Sequence, residues 1–195
     1  HSRYHRSPQT LIEMFNPGAK IEIDSSVDVD ASLQRLVKHG YVVCAVGVRG
    51  SGASFGHFEG LFSESETSDA VEIINWLAEQ PWSDGNVGMY GGSYLGITQF
   101  MAASRKPAAL KAIIPDVAAF DMYDLIYPGG VMRADMIEHW DGLTDQLDLE
   151  WIAPAVDGDE DGLLLKQAVA GHEQNWQVLD GYRSAPFRDD KVPGL

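Results

Sequence analysis

Asn86-Val87-Gly88-Met89-Tyr90-Gly91-Gly92-Ser93-Tyr94-Leu95-Gly96 is the stretch on which the fold turns. Asn86 to Tyr90 reads as a short strand. Tyr94 to Ser104 reads as a helix, with Arg105-Lys106 at its negative end and Pro107 as its stop. Ser93 therefore falls on a sharp strand-to-helix turn. A nucleophilic serine on such a turn needs a strained backbone and crowded neighbours, which explains the glycines around it. The helix opening at Tyr94 directs N–H groups at the same place, which makes the Tyr94 N–H a donor for an oxyanion. The pattern departs from Gly-x-Ser-x-Gly: Leu95 takes the place of the second glycine, which comes one residue later as Gly96. The plainer alternative is a glycine-rich turn with an incidental serine.

Working outward, Leu110 to Pro115 reads as a further strand. Tyr41-Val42-Val43-Cys44-Ala45-Val46-Gly47-Val48 is a nearly unbroken apolar run, the pattern of a strand buried on both faces. Asp28 or Asp30 can cap a helix running through Val37-Lys38-His39, with Gly40 as its stop. Ser63-x-x-Glu66 has capping-box spacing, and Ala70, Ile73, Ile74, Leu77 and Ala78 continue at helical spacing, predicting a helix over about residues 66–80. Pro81 to Gly85 is a turn. Residues 1–28 read as loop, apart from a short Ile21-Glu22-Ile23 alternation. Strand, helix, strand, helix, strand over 41–115 is the rhythm of a parallel α/β sheet. From Val131 onward the pattern is helical and acidic, so a subdomain boundary is placed at Pro128-Gly129-Gly130, dividing 1–130 from 131–195.

Composition narrows the function. Among 195 residues, 14 Lys+Arg face 29 Asp+Glu, a formal charge of −15 that argues against a nucleic-acid partner. An apolar fraction of 45% is too high for a disordered chain. No apolar run approaches the ~18 residues of a membrane span, so no membrane partner is expected. Cys44 is the single cysteine, which leaves no internal disulfide and no multi-cysteine metal site. The chain opens on His1 and closes on Lys191-Val192-Pro193-Gly194-Leu195 without a finished element, and so reads as part of a longer one. Its compartment is then unreadable: cytoplasmic, or periplasmic or secreted if a signal peptide was removed.

Residues 40–130 resemble the cocaine-esterase and X-Pro dipeptidyl-peptidase family of α/β-hydrolases. The motifs are Gly40-Tyr41-Val42-Val43, Val48-Arg49-Gly50-Ser51-Gly52-x-Ser54-x-Gly56, and Ile74-x-Trp76-Leu77-x-x-Gln80-Pro81-Trp82-Ser83-Asp84-Gly85. They continue through Val87-Gly88-Met89-x-Gly91-Gly92-Ser93-Tyr94-Leu95-Gly96 and Asp121-x-Tyr123. In this family the elbow itself has glycine three residues after the serine. The resemblance implies an α/β-hydrolase core over 1–130, here its N-terminal part, and an incomplete helical cap over 131–195. It further implies cleavage of esters, amides or X-Pro peptide bonds through a Ser–Asp–His triad, without metal or organic cofactor. By the same resemblance, Arg3-Tyr4-His5-Arg6 matches the loop whose tyrosine hydroxyl completes the oxyanion hole, which makes Tyr4 the second donor beside the Tyr94 N–H. Members commonly carry Asp where this chain has Gly47, which puts the pairing of Arg49 in doubt.

The expected site is thus Ser93, Tyr94 and Tyr4. The substrate is a small ester or amide or a short peptide, and a homo-oligomer is compatible with it. After Ser93 only His139 and His172 remain, neither placed after a strand, so the triad Asp and His are expected beyond residue 195. Residues 1–195 alone are accordingly expected to fold poorly and to be inactive. The competing reading is a catalytically silent binding domain of hydrolase shape.

Three other patterns are weaker. Gly50-x-Gly52-x-x-x-Gly56 has the wrong spacing for a dinucleotide loop. Asp157-x-Asp159-x-Asp161-Gly162 starts like a calcium loop, but Ala168 holds the position that needs a bidentate Glu, so an acidic turn before a helix is expected. Trp140, Trp151 and Trp176 could line an acyl pocket, although spaced aromatics are commonly packing residues.

Overall fold

A computed structural model describes residues 1–4, 25–150 and 153–192. The Ile21-Glu22-Ile23 alternation, His5, Arg6 and Trp151 lie outside the described residues. Two compact units divide the chain: His1–Phe58 with Leu143–Gln174, and Glu59–Gly142 with Asn175–Leu195.

The second unit holds the sheet. Strand β1 (Val87–Gly92) runs parallel to β2 (Leu110–Asp116), in register from Gly88 opposite Ala112 to Gly92 opposite Asp116. A parallel pair needs a crossover, and helix α3 (Tyr94–Ser104) provides it over the residues its stop signals predict. Helix α2 (Glu64–Ala78) starts slightly before the predicted residue 66, because Ser63 is its N-cap and accepts from the Glu66 N–H at 3.3 Å. Its Ala70 and Ile74, one turn apart, are buried with Ala102 of α3 and Ala109, and Val87, Met89 and Leu110 of the strands pack on that cluster. The result is an α/β arrangement of a small parallel sheet and helices. Helix α4 (Met122–Ile126) follows, capped by Asp121, then a 3₁₀ turn at Pro128–Gly130, α5 (Ala134–Asp145) and α7 (Val178–Arg183). Asp141 caps α7 by accepting from Val178 and Leu179 at 3.3 and 3.1 Å.

In the first unit, α1 (Ala31–Lys38) forms as its caps dictate. Asp30 accepts from the N–H groups of Ser32 and Leu33, and Gly40 just past the end takes φ +89°. The run Tyr41–Val48 corrects the sequence reading: it is not a strand. A strand needs a neighbour to satisfy its backbone. Among the described residues this run finds one only at its end, through a parallel bridge of Gly47 to Ser2. There the Ser2 N–H donates to Val46 and the Val48 N–H to Ser2, each at 2.9 Å. Val48 is buried, whereas Tyr41 and Val42 are 64% and 63% exposed and Cys44 is exposed as well. The rest of the unit comprises the π-helical turn Gln146–Glu150 and α6 (Leu163–His172). Its buried residues include Val48, Phe58, Leu147, Ala168 and, unexpectedly for a charged side chain, Arg3. No described helix is long and apolar enough to cross a membrane.

Candidate active site

Ser93 is the N-cap of α3 and sits directly after β1, with φ +55° and ψ −123°. That is a left-handed conformation an L-residue adopts only under constraint from its surroundings. The constraints are visible. Its N–H donates to the Asp116 carbonyl at 3.0 Å, and its own carbonyl accepts from Gly96 and Ile97 at 2.9 and 3.0 Å. Its side chain makes no capping hydrogen bond, and the residue is exposed. A helix N-cap serine ordinarily spends its hydroxyl on the helix; this one presents it to solvent.

The glycines answer to sterics. A Cβ on Gly91, whose φ is +143°, would fall 2.7 Å from the Leu95 Cβ, and one on Gly92 would meet the Asp116 carbonyl at 3.2 Å. A Cβ on Gly96 would fall 2.6 Å from the Ala118 Cβ and 3.1 Å from the Asp116 carbonyl. Glycine is therefore needed three residues after the serine, where α3 passes the end of β2, while the position two residues after it accommodates leucine. Gln99, which sequence reasoning missed, ties the same parts together. Fully buried, it donates from Nε2 to the carbonyls of Gly91 and Leu95, and its Oε1 accepts from the Ile114 N–H at 2.9 Å. A polar residue in the midst of Ile97, Thr98 and Ala102 was the available signal.

Tyr94, the first residue of α3, is 3% exposed. The leading N–H groups of a helix have no carbonyl partner within it and lie at its positive end. The Tyr94 hydroxyl donates toward both carboxylate oxygens of Glu66, at 2.9 and 2.7 Å. Its ring lies 4.6 Å from Phe62, tilted, and 6.1 Å from Trp140, stacked. Glu66 corrects the capping-box reading. Only the serine half of the box forms, and the carboxylate reaches a tyrosine 28 residues away, a partner that local spacing could not reveal.

Ser93 and Tyr94 stand together in the second unit. Tyr4 belongs to the first, half-buried, its N–H donating to Ser2 Oγ at 2.9 Å. His139 is exposed on α5. His172 is buried at the end of α6, with Nδ1 3.0 Å from the Asp148 carbonyl and Nε2 2.9 Å from the Ser54 carbonyl, as a packing histidine would be. Ser54 Oγ donates to the Gly47 carbonyl at 3.2 Å, and a Cβ on Gly47 would lie the same distance from that oxygen. The Gly50–Gly56 loop closes on itself through Gly50 N–H to the Phe55 carbonyl. Asp159 caps α6, accepting from Leu164 and Leu165, and among the described residues no group of three acidic, histidine or cysteine side chains could hold a metal. Trp176 packs edge-on against Tyr182.

Against known proteins, the family model described as X-Pro dipeptidyl-peptidase (S15 family) matches residues 2–187. A Mycobacterium bovis protein named as a serine esterase is 34% identical over 172 residues, 80% of this chain and 27% of its own length. The cocaine esterase of Rhodococcus sp. is 35% identical over 138 residues, 70% of this chain and 24% of its own. A crystal structure of a CocE/NonD family hydrolase from Staphylococcus aureus superposes with a TM-score of 0.56 at 28% identity, covering 73% of this chain and 22% of that one. The chain spans about a quarter of the length of these curated relatives.

Proposed function

We propose a serine hydrolase acting through Ser93, from the premise that the chain belongs to the X-Pro dipeptidyl-peptidase (S15) family. The observation that carries the reading is the turn itself: an exposed serine at φ +55° between β1 and the N-terminus of α3, with a hydroxyl that does not cap the helix. In this reading residues 1–130 are the N-terminal part of an α/β-hydrolase core and 131–195 belong to an inserted helical cap.

Ser93 Oγ attacks the carbonyl carbon of an ester, an amide or an X-Pro peptide bond. The carbonyl electron pair moves onto oxygen, and the Tyr94 N–H and the Tyr4 hydroxyl stabilise the oxyanion. Collapse expels the alcohol or amine, which takes a proton, and water then releases the acyl group from Ser93. The proton transfers need a base and an orienting acid. His172 has carbonyls at both ring nitrogens, and His139 lies on an exposed helix face, so we assign both roles to an Asp and a His beyond residue 195. No metal or organic cofactor enters the scheme. The names of the relatives matched over most of the chain favour an ester as substrate.

The test is fluorophosphonate labelling of the full-length polypeptide. Label is expected on Ser93 and lost in Ser93→Ala; labelling that persists in that variant eliminates Ser93 as nucleophile. Tyr4→Phe is expected to lower kcat by about 10²–10³ with folding intact, the usual effect of removing one oxyanion donor.

A further inference from the structure

The most unusual group near the turn is an acid. Glu66 is 2% exposed, and burying a carboxylate costs several kcal/mol unless it is well partnered. Its carboxylate accepts from the hydroxyl of Tyr94, the residue whose backbone N–H the proposed mechanism uses. Three features hold the pair in place. Glu66 lies in the first turn of α2, where the helix's positive end favours a carboxylate. Phe62 keeps a left-handed φ of +58° with its ring against Tyr94. Such strain persists in a non-glycine residue only where the surroundings impose it. Trp140 stacks on the same ring.

Resting on the serine-hydrolase reading, we propose that Glu66 is a positioning residue for the oxyanion hole. Its carboxylate anchors the far end of the Tyr94 side chain, and that anchor sets the aim of the Tyr94 N–H and the turn of Ser93. A side chain tied at its tip and clamped along its ring leaves its own backbone little freedom to rotate. Without the anchor, the first turn of α3 can shift by a fraction of an ångström. A misplacement of about 1 Å, caused by a residue that never touches substrate, can cost about 10²-fold in rate, and a smaller shift correspondingly less.

The experiment measures kcat and KM of the full-length polypeptide on p-nitrophenyl butyrate, with fluorophosphonate labelling and melting temperature alongside. Tyr94→Phe keeps the ring and removes the hydroxyl; Glu66→Ala removes the anchor. Each is expected to lower kcat about ten- to a hundred-fold with KM changed less than about two-fold, the signature of an interaction used in the transition state. The double variant is expected to be no slower than the worse single one. Glu66→Gln, whose amide oxygen can still accept from Tyr94, is expected to recover most of the loss. Full kcat in folded Tyr94→Phe overturns the proposal, and this holds even if Glu66→Ala fails to fold. So does a multiplicative double variant, or Glu66→Gln as slow as Glu66→Ala. Wild-type protein that takes no label at Ser93 overturns the hydrolase reading and this proposal with it; normal labelling with unaltered kcat in Tyr94→Phe overturns this proposal alone.

Discussion

The Ser93 N–H donates to the Asp116 carbonyl at 3.0 Å, one step beyond the last register pair of the parallel ladder, Gly92 opposite Asp116. The ladder therefore fixes the backbone of the serine as firmly as that of the strand before it, in a conformation that suits glycine. Ser93→Gly should consequently melt higher than Ser93→Ala. Relief of strain at such a residue is worth about 1–3 kcal/mol, and the greater chain entropy of unfolded glycine offsets roughly 0.5–1 kcal/mol of it. Thermal melts of the two inactive variants measure the difference directly. An alanine variant as stable as the glycine variant would show that the turn is unstrained.

Gly96 and Gly142 should respond in opposite directions to the same substitution. Both lie in helices, where alanine normally gains about 1 kcal/mol over glycine. A Cβ at Gly142 meets nothing within 4 Å, so Gly142→Ala is expected to stabilise. At Gly96 the added carbon falls 2.6 Å from the Ala118 Cβ, and relieving that overlap is expected to cost about 1–3 kcal/mol. Urea denaturation of the two variants gives the sign of each. Gly96→Ala should also label more slowly with fluorophosphonate, because relief of the overlap moves the helix that carries Ser93.

What could be read in the residue order was whatever local chemistry decides. The elbow, α1, α3 and β2 follow from caps, stops and glycines a few residues apart, and they form within a residue or two of the expected bounds. The run Tyr41–Val48 shows where such reading ends. Apolar composition states what a strand would bury but supplies no partner, and with Ser2 pairing only at its end the segment forms no strand and exposes Tyr41 and Val42. Glu66 illustrates the converse. Its spacing from Ser63 carries a local meaning, while its actual engagement is with Tyr94, which only the packing of α2 beside α3 provides. Arg3 escaped for the same reason, its ion-pair partner Asp148 lying 145 residues away.

Asp159 should make a pH-dependent contribution to α6. N–H donation from Leu164, then from Leu165, holds its carboxyl below the usual range. The unfolded carboxyl titrates near ~3.9, so the stabilisation is complete above that value and is lost as pH falls through the lower folded one. Asp159→Ala is expected to melt below the wild type at pH 7, and the gap should close as the pH is taken well under 4. The same contacts direct both Asp159 oxygens to the first N–H groups of α6, Asp161 accepts from the Leu163 N–H at 3.2 Å, and Ala168 stands where a calcium loop needs its bidentate Glu. Calorimetric titration with calcium should therefore register only heat of dilution.

Arg3 and Asp148 form an ion pair in which each side chain is 1% exposed, and the Arg3 guanidinium carbon lies 3.9 Å from the Phe58 ring centroid. Burial pushes the Asp148 carboxyl up from its ordinary range, and the Arg3 charge pulls it part of the way back. Removing one member takes from the other its buried ion-pair partner, so Arg3→Met and Asp148→Leu are each expected to cost about 3–5 kcal/mol. The double variant replaces both charges with apolar bulk and should recover most of that loss, giving a strongly non-additive cycle in urea denaturation. The pH dependence of Arg3→Met supplies a second check. A carboxyl whose folded pKa is raised favours folding below its unfolded value, and that advantage is lost as pH rises through the folded one. Without Arg3 the upward push on Asp148 loses its main counterweight. The deficit of Arg3→Met against wild type should thus be largest near neutrality and shrink on acidification. A deficit independent of pH would mean that Arg3 contributes through its packing on Phe58 rather than through its charge.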